Sequence, residues 1–451
     1  MDTAVPRRIA IVGAGPSGLF AAQALTTQSE VPVEVDLLDR LPTPYGLLRY
    51  GVAPDHTSIK SVANALAKTF DSPAVRFLGN VEMGRDVSRE ELLAAYDAVL
   101  YAAGASADVQ LGVPGEDLDG SRSAREFVAW YSGHPDAPDQ DLTGVRAAAV
   151  IGVGNVAVDV ARILAKTAEA LSVTDMPQPV LDALAVHHCD DIYVVARRGP
   201  QHAAFTTVEL RELVHTPGVQ VTVEPAGCLD GIPDDTLERR TRANLEILRE
   251  AAATEVPDAR RRLHFRFWHR PVALEESAER PGAVGVLVVE QTRLDEAGKV
   301  VGTGVQQRIP VQLVLRSIGY RSVPLPGVPF NERAAVVANV EGRVVDADGA
   351  VQPKEYVAGW LKRGPSGVIG TNKSCAAQTV RHLVADLMAS DMPPTPAHAA
   401  GELDAVLTER GVRFTTLADW RAIDAAEIAR GAERGRARTK IETWTDLLAL
   451  C

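Results

Sequence analysis

At 451 residues, 46% of them hydrophobic and 24% charged, the chain has the make-up of a globular protein too long for one ordinary core, so two or three domains are expected. Its formal charge of −12 at pH 7 offers no net positive field to gather phosphates, which argues against general nucleic-acid binding. Cys189, Cys228, Cys375 and Cys451 form no C-x-x-C pair, no apolar run approaches the ~20 residues of a membrane span, and no signal-peptide pattern opens the chain; a cytoplasmic protein with neither metal site nor membrane insertion is expected.

Ile9 to Val12 form a short apolar run that predicts a strand. Gly13, Gly15 and Gly18 follow at the spacing G-x-G-x-x-G, and Leu19 to Leu25 predict a helix. In such a unit the first glycine makes the tight turn, the second admits a pyrophosphate, and the third lets helix and strand pack closely. A second strand, Val33 to Leu38, ends at Asp39, 21 residues after Gly18. A carboxylate there accepts hydrogen bonds from ribose hydroxyls and repels a 2′-phosphate, so the site suits FAD or NAD and not NADP.

Ala98 to Ala102 predict another strand, closed by the small-residue turn Ala103-Gly104-Ala105. A similar phrase, LVLRSIGYRS at 313–322, carries Gly319 in the equivalent place. The two turns read as the exit and re-entry points of one domain interrupted by another.

Between them the unit repeats. Ala147 to Ile151 predict a strand, Gly152 and Gly154 the turn, and Asn155 to Lys166 a helix, with Ala157 standing for the third glycine. The next strand, Ile192 to Ala196, ends in Arg197-Arg198, two guanidiniums suited to a 2′-phosphate. Arg197 lies 45 residues after Gly152, so roughly 25 residues around 167–190 are an insertion relative to the usual unit. This second site reads as NADP(H), and two such sites imply hydride transfer between a nicotinamide and a flavin.

The stretch 239–270 then carries nine arginines against four acids, a candidate docking surface for an acidic protein, with Lys362 and Arg363 continuing it. Two β-prone runs, 284–294 and 308–319, are expected to pair near the exit. Glu355 to Trp360 predict a strand, Gly364, Gly367 and Gly370 leave backbone free to approach a ring, Pro393 to Pro396 break the chain, and 418–435 predict a helix. The fold expected is α/β: two doubly wound, Rossmann-like dinucleotide-binding domains, with the NADP domain (106–319) inserted into a discontinuous FAD domain (1–105 and 320–451).

Four phrases carry a family resemblance: LLDRLPTPYGLLRYGVAPDH (37–56), GVGNVAVDVAR (152–162), RRGPQHAAFTTVELREL (197–213) and GWLKRGPSGVIGTNK (359–373). They resemble, nearly end to end, ferredoxin–NADP reductases of the adrenodoxin reductase type, in their actinobacterial branch. The resemblance implies FAD, NADPH and a ferredoxin-type iron–sulfur partner, and it leaves room for a cytochrome P450 downstream. It places Gly13, Ala14, Gly15, Pro16, Ser17, Gly18, Asp39, Leu47 and Val81 on FAD, with Trp360, Gly367, Val368 and Ile369 covering the flavin. It places Gly152, Gly154, Asn155, Val156, Ala157, Val158, Arg197, Arg198 and Glu209 on NADP, with Gly367 near the nicotinamide. His56 and Glu209 resemble the family's polar pair beside the two rings, His56 standing either as a positioning or proton-relay group or as a structural histidine. Arg239, Arg240 and Arg242 fall where the resemblance puts partner docking. An arginine common in the family after the first Gly-Ala turn is missing, Val109 and Gln110 standing there instead. An NADPH diaphorase or quinone reductase without a dedicated protein partner is the alternative activity.

Overall fold

Alternation along the first strand decides how the molecule is layered. In Arg7–Val12, Ile9 and Ile11 enter one apolar core while Ala10 and Val12 enter another on the opposite face. A strand covered on both faces belongs inside a parallel sheet. The computed structural model describes residues 5–28, 30–232, 237–390, 394–395 and 399–451. In it, Arg7–Val12 lies between Val33–Leu38 and Ala98–Tyr101, parallel to both, with Val75–Leu78 beyond Val33–Leu38. Val351–Val357 pairs parallel with Ala98–Tyr101, so the chain returns to this sheet after a long excursion. Two short antiparallel strands, Arg343–Val345 and Asn339–Val340, complete its seven.

The excursion builds a second parallel sheet of six strands, in the order Ser121–Ser123, Leu313–Arg316, Ala147–Ile151, Asp191–Val195, Arg261–Arg266, Val219–Glu224. Helices cover one face, where Ala148 and Val150 meet the core around Phe127, Leu164 and Leu210. The other face is covered by an antiparallel sheet, His269–Glu276, Val284–Leu294 and Val300–Pro310, through Leu274, Leu287, Val289 and Ile309. This second layer of strands stands where a doubly wound sheet carries helices. The run 308–319 is accordingly not one strand. Its start ends the antiparallel ribbon at Pro310, and Leu313–Arg316 crosses into the parallel sheet, with Gln312 N–H donating to Ala147 O at 3.0 Å.

The chain passes between the sheets twice, and the two passages pair with each other: Tyr320–Arg321 runs antiparallel to Ala107–Asp108. The insertion after the second nucleotide helix forms two short helices, Ala168–Leu171 and Gln178–Val186. The C-terminal stretch bridges the halves. Lys440 Nζ donates to Arg49 O and Ser132 O, and Arg436 donates to Met176 O at 3.1 Å. Helix Leu417–Ala432 fills the predicted 418–435. Pro393 and Pro396 lie outside the described residues.

Helix Leu417–Ala432 is pinned by a fully buried ion pair. Glu427 accepts two hydrogen bonds from Arg49, at 2.5 and 2.9 Å, and one from Ile441 N–H at 2.9 Å. Burial alone would raise the Glu427 pKa, but the Arg49 charge and these donors hold it below the ordinary glutamate range. A depressed folded-state pKa stabilises above the unfolded value and loses that stabilisation as pH falls through the folded one. The unfolding temperature is therefore expected to fall more steeply on acidification in the parent than in Glu427→Gln. Parallel curves from calorimetry across that range would contradict it.

Candidate active site

The first glycine loop has the shape its spacing requires. Gly13 has φ +114°, and a side chain there would strike the Ala102 carbonyl. A methyl on Gly18 would sit 1.9 Å from Gly13 O, so only glycine lets helix Pro16–Thr27 lie this close to the strand. Gly15 is different: a Cβ there would clash with nothing, its one near neighbour being Gly46 Cα at an ordinary contact distance of 3.9 Å. Gly15 caps the helix without a side-chain hydrogen bond, which leaves the first helical N–H groups without a side-chain acceptor from the cap. Asp39 closes the loop: its Oδ2 accepts from Ala14 N–H at 2.7 Å and its Oδ1 from Leu41 N–H at 2.9 Å.

Around this loop the chain folds three further segments. Leu47 stands 36% exposed beside the Tyr45-Gly46 turn, in which Tyr45 N–H donates to Ala14 O. Gly359 (φ +72°) passes over Ser17 so closely that a Cβ would clash with its hydroxyl. Trp360 stacks on Tyr320 with ring centroids 5.5 Å apart, and its buried Nε1–H has no partner. Gly367 takes φ +81°, Val368 is 64% exposed, and Ile369 opens helix Ile369–Ala389.

The second loop repeats the design. Gly152 (φ +131°) presses on Ser317, Gly154 has nothing within 4 Å of its missing side chain, and helix Asn155–Ala165 starts there without a side-chain cap. Ala157 and Val158 are buried in the core, Val156 packs on its edge, and Asn155 Oδ1 accepts from Thr206 N–H at 2.8 Å. The neighbouring strand Asp191–Val195 leads to Arg197 and Arg198, both exposed and neither paired with a carboxylate among the described residues. On helix Thr207–Val214, Glu209 is 7% exposed, and its Oε2 is buried without a hydrogen-bond donor.

The two halves meet at a cluster of charges. His56, from the first unit, has Nε2 2.8 Å from Asp159 Oδ1 and 2.9 Å from Arg162 Nη2, both on the second nucleotide helix. Its Nδ1 lies 3.4 Å from Glu212 Oε2. Arg162 is fully buried and grips Asp55 through Nε and Nη2, at 2.8 and 2.9 Å, while Lys166 adds a contact of 2.7 Å. Burial would raise the Asp55 carboxyl, but these cations hold it far below the carboxylate range. Burial lowers the His56 pKa, yet contact with the Asp159 carboxylate leaves it raised overall.

Comparison with known proteins agrees with this geometry. The family model described as pyridine nucleotide-disulphide oxidoreductase matches residues 7–222. NADPH-ferredoxin reductase FprA of Mycobacterium leprae is 44% identical over 456 residues, covering 98% of each chain. The mitochondrial NADPH:adrenodoxin oxidoreductase of Homo sapiens is 40% identical over 98% of this chain and 91% of its own. The chain belongs to the NADPH–ferredoxin (adrenodoxin) reductase family. The structure titled Mycobacterium tuberculosis FprA in complex with NADPH superposes with a TM-score of 0.91 at 42% identity, covering 99% of each chain.

Several expectations about this reductase-family chain need correction. The carboxylate nearest His56 Nδ1 is that of Glu212, at 3.4 Å, and no contact between His56 and Glu209 is found among the described residues. The two glutamates share a helix face at i, i+3, and the approach of the two halves selects the second. Trp360 does not end the strand, which stops at Val357; it opens the one-turn helix Trp360–Arg363. Val81 has a core-buried side chain and gives its N–H to Asp39 O, so it holds Asp39 through the main chain.

The arginine stretch is not one free surface. Arg262, Arg266 and Arg270 pair with Asp191, Glu224 and Glu290, carboxylates outside 239–270. Lys362 donates to Gln378 and Thr379, and Arg363 to Asn372, all uncharged partners that leave both cations in place. Arg239 and Arg240 remain exposed at the start of helix Arg239–Ala253, with Arg242 half-buried behind them and donating to Leu237 O. Sequence reasoning missed Gly359, Asp55, Asp159, Arg162 and Glu212. Of these, Gly359 alone had a visible signal, a glycine closing an apolar run.

Proposed function

We propose that the chain is an FAD-dependent ferredoxin–NADP reductase, which takes hydride from NADPH and passes single electrons to a ferredoxin-type iron–sulfur protein. The observation that carries the reading is the pair of glycine loops, one closed by Asp39 and the other followed by Arg197-Arg198. A carboxylate at the first suits ribose hydroxyls, and two exposed guanidiniums without a carboxylate partner among the described residues suit a 2′-phosphate at the second. In this reading residues 1–105 and 320–451 hold FAD, and 106–319 hold NADP.

The residues present fit both groups. Gly15 carries no side chain at the helix N-terminus, where a pyrophosphate would approach, and Gly154 has nothing within 4 Å at the second loop. The unpartnered Trp360 Nε1–H and Glu209 Oε2 are a donor and an acceptor lacking partners, as expected of groups that meet a polar ligand. FAD, when bound, supplies the ring that takes two electrons together and gives them singly. The protein's part is to align the reacting rings, which is worth more here than any general base. Trp360, Gly367, Val368 and Ile369 provide the cover, and His56 with Glu212 provides a polar wall where the halves meet. FprA structures solved with NADP+ and NADPH support the nucleotide assignment.

The partner follows from relatives named for ferredoxin and adrenodoxin. Among the described residues no helix is long and apolar enough to cross a membrane, and a cytoplasmic location completes the proposal. A cytochrome P450 as final acceptor rests on the family resemblance. We place docking at Arg239, Arg240 and Arg242, which offer local positive charge on an acidic chain. Raising salt from about 0.01 to about 0.15 M, where the Debye length shrinks from roughly 30 to roughly 8 Å, is expected to slow ferredoxin reduction. Replacing all three arginines by Ser is expected to reproduce that loss while NADPH-to-dye activity stays at the parent level. Parent-like ferredoxin kinetics in the triple variant would move the docking site elsewhere.

A further inference from the structure

We infer that Arg162 is a positioning residue that fixes the tautomer of His56, holding the neutral ring with its single proton on Nδ1, toward Glu212. The argument starts from Asp55. Its carboxylate takes Arg162 Nε and Nη2 together, which fixes the plane of a guanidinium that has no exposed surface. With that plane fixed, Nη2 lies 2.9 Å from His56 Nε2. A guanidinium only donates, so a hydrogen bond across this contact requires a bare Nε2.

The same nitrogen also lies 2.8 Å from Asp159 Oδ1, which only accepts when ionised. One ring nitrogen cannot satisfy both neighbours in one protonation state. The cationic ring, protonated on both nitrogens, donates Nε2–H to Asp159 and places its charge 3.4 Å from Glu212 Oε2. The neutral ring accepts from Arg162 and keeps its proton on Nδ1, on the side where Glu212 Oε2 lies 3.4 Å away. Each state of His56 thus has its own partner: Asp159 for the cation and Arg162 for the neutral ring. The groups facing the imidazole are Asp55 from its own loop, Asp159 and Arg162 from helix Asn155–Ala165, and Glu212 from helix Thr207–Val214; the raised His56 pKa reflects the carboxylates outweighing burial.

The consequence is directional. Glu212 is 45% exposed, whereas Asp159 is 13% exposed. A neutral His56 therefore presents its proton to the open side of the cluster and keeps a lone pair on the buried side. This meaning for catalysis rests on the proposed hydride-transfer site, while the tautomer itself does not.

The test is nitrogen NMR of the full-length, FAD-loaded protein labelled with 15N-histidine, the His56 signals being assigned by their loss in His56→Gln. Well above the ring's titration, the parent is expected to show a protonated Nδ1 and a bare Nε2, the reverse of free imidazole side chains in water. A protonated Nε2 there would overturn the inference without any Arg162 variant. In Arg162→Gln, where Lys166 still faces Asp55, the populations are expected to invert, with Nε2–H on Asp159 and titration displaced to higher pH. Arg162→Lys is expected to invert them too, because one ammonium cannot hold Asp55 and reach the ring in the same geometry. A tautomer unchanged in these variants would also overturn it. Failure of NADPH to reduce the flavin would sink the functional reading and leave the tautomer result standing.

Discussion

Replacing Arg197 and Arg198 with alanine is expected to lower kcat/KM for NADPH about a hundredfold or more while sparing NADH. The two guanidiniums follow strand Asp191–Val195, whose Val195 O accepts from Gly152 N–H, so they stand beside the loop proposed to hold the pyrophosphate. They are exposed and have no carboxylate partner among the described residues, so little internal structure depends on them. A hydrogen bond to a charged group contributes about 1.5–3 kcal/mol. Two at the lower end total about 3 kcal/mol, and about 1.4 kcal/mol is worth tenfold. NADH has no 2′-phosphate and does not use these bonds. Steady-state kinetics with both nucleotides checks it. Equal losses for NADPH and NADH would mean that the arginines support the fold and not the phosphate.

Gly18→Ala is expected to yield a protein without flavin, or none that folds. The added methyl falls 1.9 Å from Gly13 O, a main-chain atom with little room to yield, because Gly13 N–H is tied to Leu38 O at 2.7 Å. The helix must then lift off the strand, and the cradle opens. Gly15→Ala is the informative contrast. Its methyl meets nothing closer than 3.9 Å, so the chain is expected to fold, yet the methyl occupies space assigned to the pyrophosphate. Flavin stoichiometry and circular dichroism separate the two effects. Parent-like flavin content in both variants would show that the loop holds no dinucleotide.

What was legible in the sequence was short-range. Strands Val33–Leu38 and Ala147–Ile151 fall where apolar runs predicted them, because a strand inside a parallel sheet buries both faces and announces itself residue by residue. The glycine loops were legible for a similar reason, since each glycine answers a local demand on backbone or contact distance. Contacts between the halves were not. Whether Glu209 or Glu212 reaches His56 depends on how two units approach across residues 103 positions apart, as His56 and Asp159 show. The arginines of 239–270 count as a charge excess along the chain, but strand pairing sends Arg262 to Asp191 and Arg266 to Glu224. Asp55 and Arg162 lie within the phrases of the family resemblance, but nothing local marked either as a site residue. Their meaning exists only where the first unit's loop meets the second unit's helix.

The central claim is that electrons enter this chain from NADPH onto a flavin held at the first loop. Anaerobic stopped-flow mixing of the purified, FAD-loaded protein with NADPH or NADH, followed by visible absorbance, tests it most directly. The account predicts that NADPH bleaches the flavin band much faster than NADH at equal concentration, and that oxidised ferredoxin then restores it. A flavin band that NADPH leaves unchanged, or that NADH bleaches equally fast, would contradict it.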